Sequence, residues 1–125
     1  MRVFLDDKRT TPPGWHRCYT PAQVIECLQQ GTVTAMSLDH DLGLPPDDQG
    51  REVSGYTVLL WLEEQLYLGR WEFTPIPEIT IHSDNGPGIA NMPAAALAAA
   101  QWEEQIRIHY MECAIESIKR RVDNT

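Results

Sequence analysis

Asp6 and Asp7 stand side by side in "VFLDDKR", and Asp39, His40 and Asp41 in "SLDHDLG". Carboxylates this dense repel one another unless a proton or a cation lies between them. A hard divalent ion suits such a group: Mg²⁺ favours oxygen ligands, keeps several waters and takes one or two carboxylates. Asp6, Asp7 and Asp39 are the expected metal ligands. Imidazoles from His40 and His82 would shift the preference toward a softer ion, Mn²⁺ or Zn²⁺. His82 and His40 are also the candidate proton carriers, because imidazole titrates near neutrality. Asp41 and Ser83 complete the candidate catalytic set. Lys8 and Arg9 follow the first acidic pair, and Asn85 lies in the turn "DNGPG", whose backbone amides suit an anion. These three are the candidate phosphate contacts. Taken singly, an aspartate beside a strand is a turn or capping residue, and a lone histidine is a hydrogen-bonded structural group. His16 and His109 lack comparable company and read as surface or packing residues.

The elements that must position these groups follow from apolar spacing. "RVFL" is an apolar run too short for a helix and suited to a buried strand ending at Asp6. "TTPPGW" then breaks the chain. Thr20-Pro21 reads as an N-cap followed by proline at the first helical position, with the helix running to Gln30 and stopped by Gly31. Val33, Ala35, Met36 and Leu38 predict a second strand that delivers Asp39 at its end. The segment "GLPPDDQGREVSG" is a long polar loop of the length that often serves as a lid or binding segment. Ser54 caps a helix to about Leu68, with Val58, Leu59, Leu62 and Leu66 at helical spacing and Gly69 after it. A third strand spans Glu78 to Ile81 and ends at His82. The stretch from Pro93 to Arg121 is Ala-rich and helical. Strand, helix, strand, helix, strand, helix implies a parallel sheet with right-handed crossovers. Ligands bind outside the carboxyl ends of such strands, which is where Asp6–Asp7, Asp39–His40–Asp41 and His82–Ser83 all fall.

Bulk properties narrow the function classes. A chain of 125 residues with 42% hydrophobic content is expected to form one domain. The formal charge of −8 argues against an extensive nucleic-acid surface. It leaves room for a local phosphate site, since a bound cation reverses the potential within one cleft. No window approaches the roughly 20 apolar residues of a membrane span, and the N-terminus enters directly into a strand-like run without a signal peptide. Cys18, Cys27 and Cys113 are scattered, with no C-x-x-C pair, so neither a disulfide framework nor a zinc knuckle is indicated. Reduced thiols and a cytoplasmic location are the expectation.

In the same order along residues 2 to 92, "FLDDKRTTPPGW", "SLDHDLG", "SGYTVLLWLE" and "HSDNGPG" resemble the cyclic-phosphate-processing receiver-like domain, a relative of response-regulator receivers. The resemblance implies a small three-layer, flavodoxin-like α/β domain with a short parallel sheet. By position, Asp6 and Asp7 resemble the acidic metal pair of receivers, and Asp39 stands where receivers carry the phosphoacceptor. His82 and Ser83 end the strand where receivers carry a small hydroxyl residue. Three departures matter. A receiver needs a lysine after a further strand, and neither Lys8 nor Lys119 follows one. His40 and Asp41 exceed what a receiver requires. Gly86-Pro87 appears where the family pattern has proline directly after the asparagine.

The expected function is metal-dependent phosphoester processing, on cyclic phosphates such as nucleotides or 2′,3′-cyclic RNA ends, with Mg²⁺ or Mn²⁺ as cofactor and a small phosphorylated substrate as partner. One alternative is a non-catalytic receiver-like module that binds a metal or phosphorylated ligand. A second is a haloacid-dehalogenase-type phosphatase, since "LDHDLG" fits a D-x-D pattern; that motif normally ends the first strand of its domain. Residues 1–92 form the expected core and 93–125 a helical extension, either part of the same domain or a dimerisation arm. Ile108, Met111, Ile115, Ile118 and Val122 repeat at 3 and 4, a coiled-coil-like seam. A straight helix there would be about 44 Å long. It would fold back over the sheet, form a homodimer arm, or pair with another protein.

Overall fold

A computed structural model describes residues 1–40, 42, 44–72, 76–82 and 94–123. Four parallel strands lie in the order β2-β1-β3-β4: β1 Arg2–Leu5, β2 His16–Cys18, β3 Ala35–Asp39 and β4 Glu78–His82. Among the described residues, three helices accompany them: α1 Pro21–Gln29, α2 Gly55–Tyr67 and α3 Ala94–Asp123. The parallel α/β architecture expected from the alternation is present, with a receiver-like sheet and a long C-terminal helix. β2 is an addition that periodicity does not reveal. Its three residues carry too short a pattern, and it becomes a strand by pairing Val3 with His16 and Leu5 with Cys18.

The helix boundaries have local causes. Thr20 adopts extended backbone and its hydroxyl accepts the Gln23 N–H, while Pro21 opens α1. Ser54 caps α2 in a reciprocal box: its hydroxyl accepts from the Tyr56 amide at 3.2 Å, and its own N–H reaches the Thr57 hydroxyl at 3.1 Å. Gly31 and Gly69 leave α1 and α2 at φ of 78° and 67°, the left-handed region where a side chain is disfavoured.

Alternation along the strands divides the sheet into two faces. Val3, Leu5, Met36 and Leu38 are fully buried in one core with Val24 and Leu28 of α1, Val58, Leu59 and Leu62 of α2, and Met111 and Ile118 of α3. On the opposite face Phe4 meets Trp15 edge-on at 6.5 Å, and the Arg17 guanidinium donates to the Arg9 carbonyl and the Thr11 hydroxyl. The connection between β1 and β2 therefore packs over that face. The result is three layers: connection, sheet, helices.

α3 is about 45 Å long at 1.5 Å per residue. Its seam residues Met111, Ile115 and Ile118 are buried in the core of their own chain, against α2. Trp102 and Tyr110 on the same helix are exposed. Among the described residues, no helix is long and apolar enough to cross a membrane.

Candidate metal and phosphate site

The sheet register assembles the site. β3 lies between β1 and β4, with Leu5 beside Leu38 and Asp39 directly beside His82. Asp6 follows β1 by one residue. Asp6, Asp39 and His82 therefore meet at the carboxyl rim on the face away from the helices. A ligand atom from each lies within 4.8 Å of the others. Both carboxylates are buried, Asp6 at 0% and Asp39 at 1% exposure, so neither is a solvated surface charge.

Asp6 and His82 are each held from several sides. The amides of Lys8 and Arg9 donate to Asp6 Oδ1 at 2.7 and 2.9 Å. His82 Nε2 lies 3.0 Å from Asp6 Oδ2, and Nδ1 lies 2.7 Å from Ser37 Oγ. Phe4 stacks on the His82 ring, with centroids 4.4 Å apart and planes within 6°. Phe4, Asp6, Ser37 and Asp39 share this face because they alternate with the buried core residues.

Burial pushes the Asp6 carboxyl up. The amides of Arg9 and Lys8 together with the His82 ring outweigh it, and hold the group below its ordinary value. Burial pulls the His82 ring down. Asp6 opposes that, while the charges of Arg9 and His40 add to it, and the net direction is down. An ionised Asp6 only accepts, so the neutral ring carries its proton on Nε2 and Nδ1 accepts from the Ser37 hydroxyl.

These directions fix a pH dependence. A carboxylate with a depressed pKa stabilises the fold above its unfolded value of about 4, and loses that contribution as pH falls through the lower folded value. A histidine with a depressed pKa takes up its proton later in the folded state, so stability also declines as pH falls below about 6.5. Urea midpoints of metal-free protein are therefore expected to drop in two steps on acidification. His82→Gln should remove the upper step and keep the lower one. A midpoint flat from pH 7 to pH 5 in the parent protein would contradict this assignment.

The other sequence candidates are placed as follows. Asp7 is half-buried and outside the three-residue group. His40, one residue past Asp39, is buried, and its Nε2 lies 3.2 Å from Glu104 Oε1 of α3. Its side chain thus engages the helix layer rather than the rim. Lys8 and Arg9 meet Asp6 through their amides, and the Arg9 charge acts on His82. Asp41, Ser83 and Asn85 lie outside the described residues. Ser37 and Phe4 were not among the candidates. Ser37 carried a signal: it precedes Asp39 by two, and so occupies the same strand face.

Residues 1–98 match the family model of the cyclic-phosphate processing receiver domain. The chain belongs to that family. Comparisons with curated proteins and with solved structures found no match. The family match spans β1 through the start of α3, so all three rim residues of this cyclic-phosphate processing receiver domain fall within it.

Proposed function

We propose that the chain hydrolyses cyclic phosphoesters with a divalent cation held by Asp6, Asp39 and His82. The observation that carries this reading is two buried carboxylates and an imidazole on one rim, in a chain whose family is named for cyclic phosphates. Two carboxylates with one imidazole fit Mg²⁺ or Mn²⁺, with Mn²⁺ favoured by the nitrogen ligand. When bound, such an ion neutralises phosphoryl oxygen charge and lowers the pKa of a coordinated water.

The chain's own groups supply the rest. The Lys8 and Arg9 amides hold Asp6 in place. The Arg9 side chain, close enough to influence His82, is the phosphate contact we favour. His82 acts as a ligand through Nε2, with Nδ1 held by Ser37. The Ser37 hydroxyl can donate to Nδ1 or accept from it, so the ring can place its proton on either nitrogen. With the proton on Nδ1, Nε2 would offer its lone pair to the cation. The attacking water gives up one proton as the departing sugar oxygen takes one up. One P–O bond forms, one breaks, and a cyclic diester becomes a monoester. The acidic net charge suits a small phosphorylated substrate or an RNA end rather than a long nucleic-acid track.

The test uses purified chain with Mg²⁺ or Mn²⁺ and either a 2′,3′-cyclic nucleotide or an oligonucleotide ending in a cyclic phosphate, followed by ³¹P NMR. Conversion to monoester that Asp39→Ala abolishes is the expected result. Tight binding without turnover would instead identify a binding module. Turnover equal in parent and Asp39→Ala would remove the rim from the chemistry.

A further inference from the structure

We propose that His16, Cys18 and Cys27 form a second metal site, selective for a thiophilic ion of the zinc class, which fastens β2 to α1. A ring nitrogen of His16 and the sulfurs of Cys18 and Cys27 all lie within 4.8 Å of one another. His16 and Cys18 are two apart on β2 and so project from the same face. Cys27 comes from α1, which packs over that face. Both cysteines are free thiols, at 1% and 9% exposure, whereas His16 is exposed. Two buried thiols alone would be ordinary core packing. What distinguishes this pair is the imidazole beside it on the solvent side, which leaves an entry path for an ion.

The donor set decides the ion. Two thiolates and an imidazole select Zn²⁺ or Cu⁺ and disfavour Mg²⁺, the reverse of the carboxylate rim. In the metal-free chain, burial and the neighbouring Cys27 push the Cys18 thiol up to about 12, so it stays protonated and inert at neutral pH. A coordinated ion removes that proton outright. Binding therefore forms two metal–sulfur bonds and releases two protons to the buffer. The structural return lies at the edge of the sheet. β2 has three residues and, among the described residues, pairs with β1 alone, so a link to α1 anchors the least supported strand.

Co²⁺ titrated into the reduced full chain tests this. One equivalent should produce thiolate-to-cobalt charge-transfer absorption, and Zn²⁺ should displace it while raising Tm. His16→Ala changes an exposed side chain and leaves the core intact; it should weaken Co²⁺ binding by at least about 10-fold, since even outer partners of a metal site cost 10- to 100-fold. Cys113→Ala should leave the spectrum unchanged. That control matters because Cys113 Sγ lies 3.6 Å from His109 Nε2 and offers a competing thiol–imidazole pair. The carboxylate rim contains no sulfur and cannot produce this band, so the outcome is independent of the phosphoesterase reading. Absence of the band, unchanged Co²⁺ affinity in His16→Ala, or loss of the band in Cys113→Ala would each overturn the proposal.

Discussion

Asp39→Asn is expected to weaken Mg²⁺ or Mn²⁺ binding by about a hundredfold or more, since even outer partners of a metal site cost 10- to 100-fold. The same variant should fold at least as well as the parent without metal. Asp6 and Asp39 are both buried and present ligand atoms within 4.8 Å, so two negative charges oppose each other there. An amide keeps the shape and removes one charge. The expected pattern is thus a metal-free Tm equal to or above the parent's, and a Tm that divalent cations no longer raise. Calorimetric titration and thermal melts with and without cation read both halves. Parent and variant that respond equally to cation would show that Asp39 is not a ligand.

Gly55→Ala is expected to lower stability by about 3 kcal/mol, at the upper end of ordinary overpacking, with a fall in Tm on the order of 10 °C. A Cβ at Gly55 would lie 2.4 Å from the Asp39 carbonyl oxygen, 2.9 Å from Leu38 Cβ and 3.0 Å from Met111 Cε. The methionine methyl can swing aside. The carbonyl belongs to β3, inside the sheet, and moves only if the strand moves. That strand carries Asp39, so cation affinity should fall in the same variant although no ligand has changed. An unchanged Tm would mean that α2 slides freely over β3, contrary to the packing described.

The arrangement behind both effects is legible only in part from residue order. The capped, periodic helices were readable: Thr20-Pro21 and Ser54 mark starts that the hydrogen bonds bear out, and Gly31 and Gly69 mark ends with positive φ. The strands carrying Asp39 and His82 were readable from apolar runs. β2 was not, because three residues after a proline-rich break carry no period, and their strand character comes from β1. The convergence of Asp6, Asp39 and His82 follows from the rule for parallel sheet edges. Which strands are neighbours, and that Asp39 sits beside His82, depends on packing that no local pattern encodes. His40 illustrates the limit most clearly. It adjoins Asp39 in sequence and looks like its partner, yet successive strand residues face opposite ways, and the ring meets Glu104 on α3. Ser37, two residues upstream, is the neighbour that matters to His82. The C-terminal seam shows the same dependence: a 3-4 apolar repeat is compatible with an external partner, but α2 of the same chain covers Met111, Ile115 and Ile118.

The central claim is that a divalent cation is held jointly by Asp6, Asp39 and His82. Anomalous diffraction from crystals of the chain grown with Mn²⁺ tests it most directly. The account predicts one strong peak at the carboxyl rim, within about 2.0–2.6 Å of an oxygen from each aspartate, with the His82 ring as a third ligand. A peak elsewhere, or an intact Asp6–His82 hydrogen bond and no peak at saturating Mn²⁺, would contradict it.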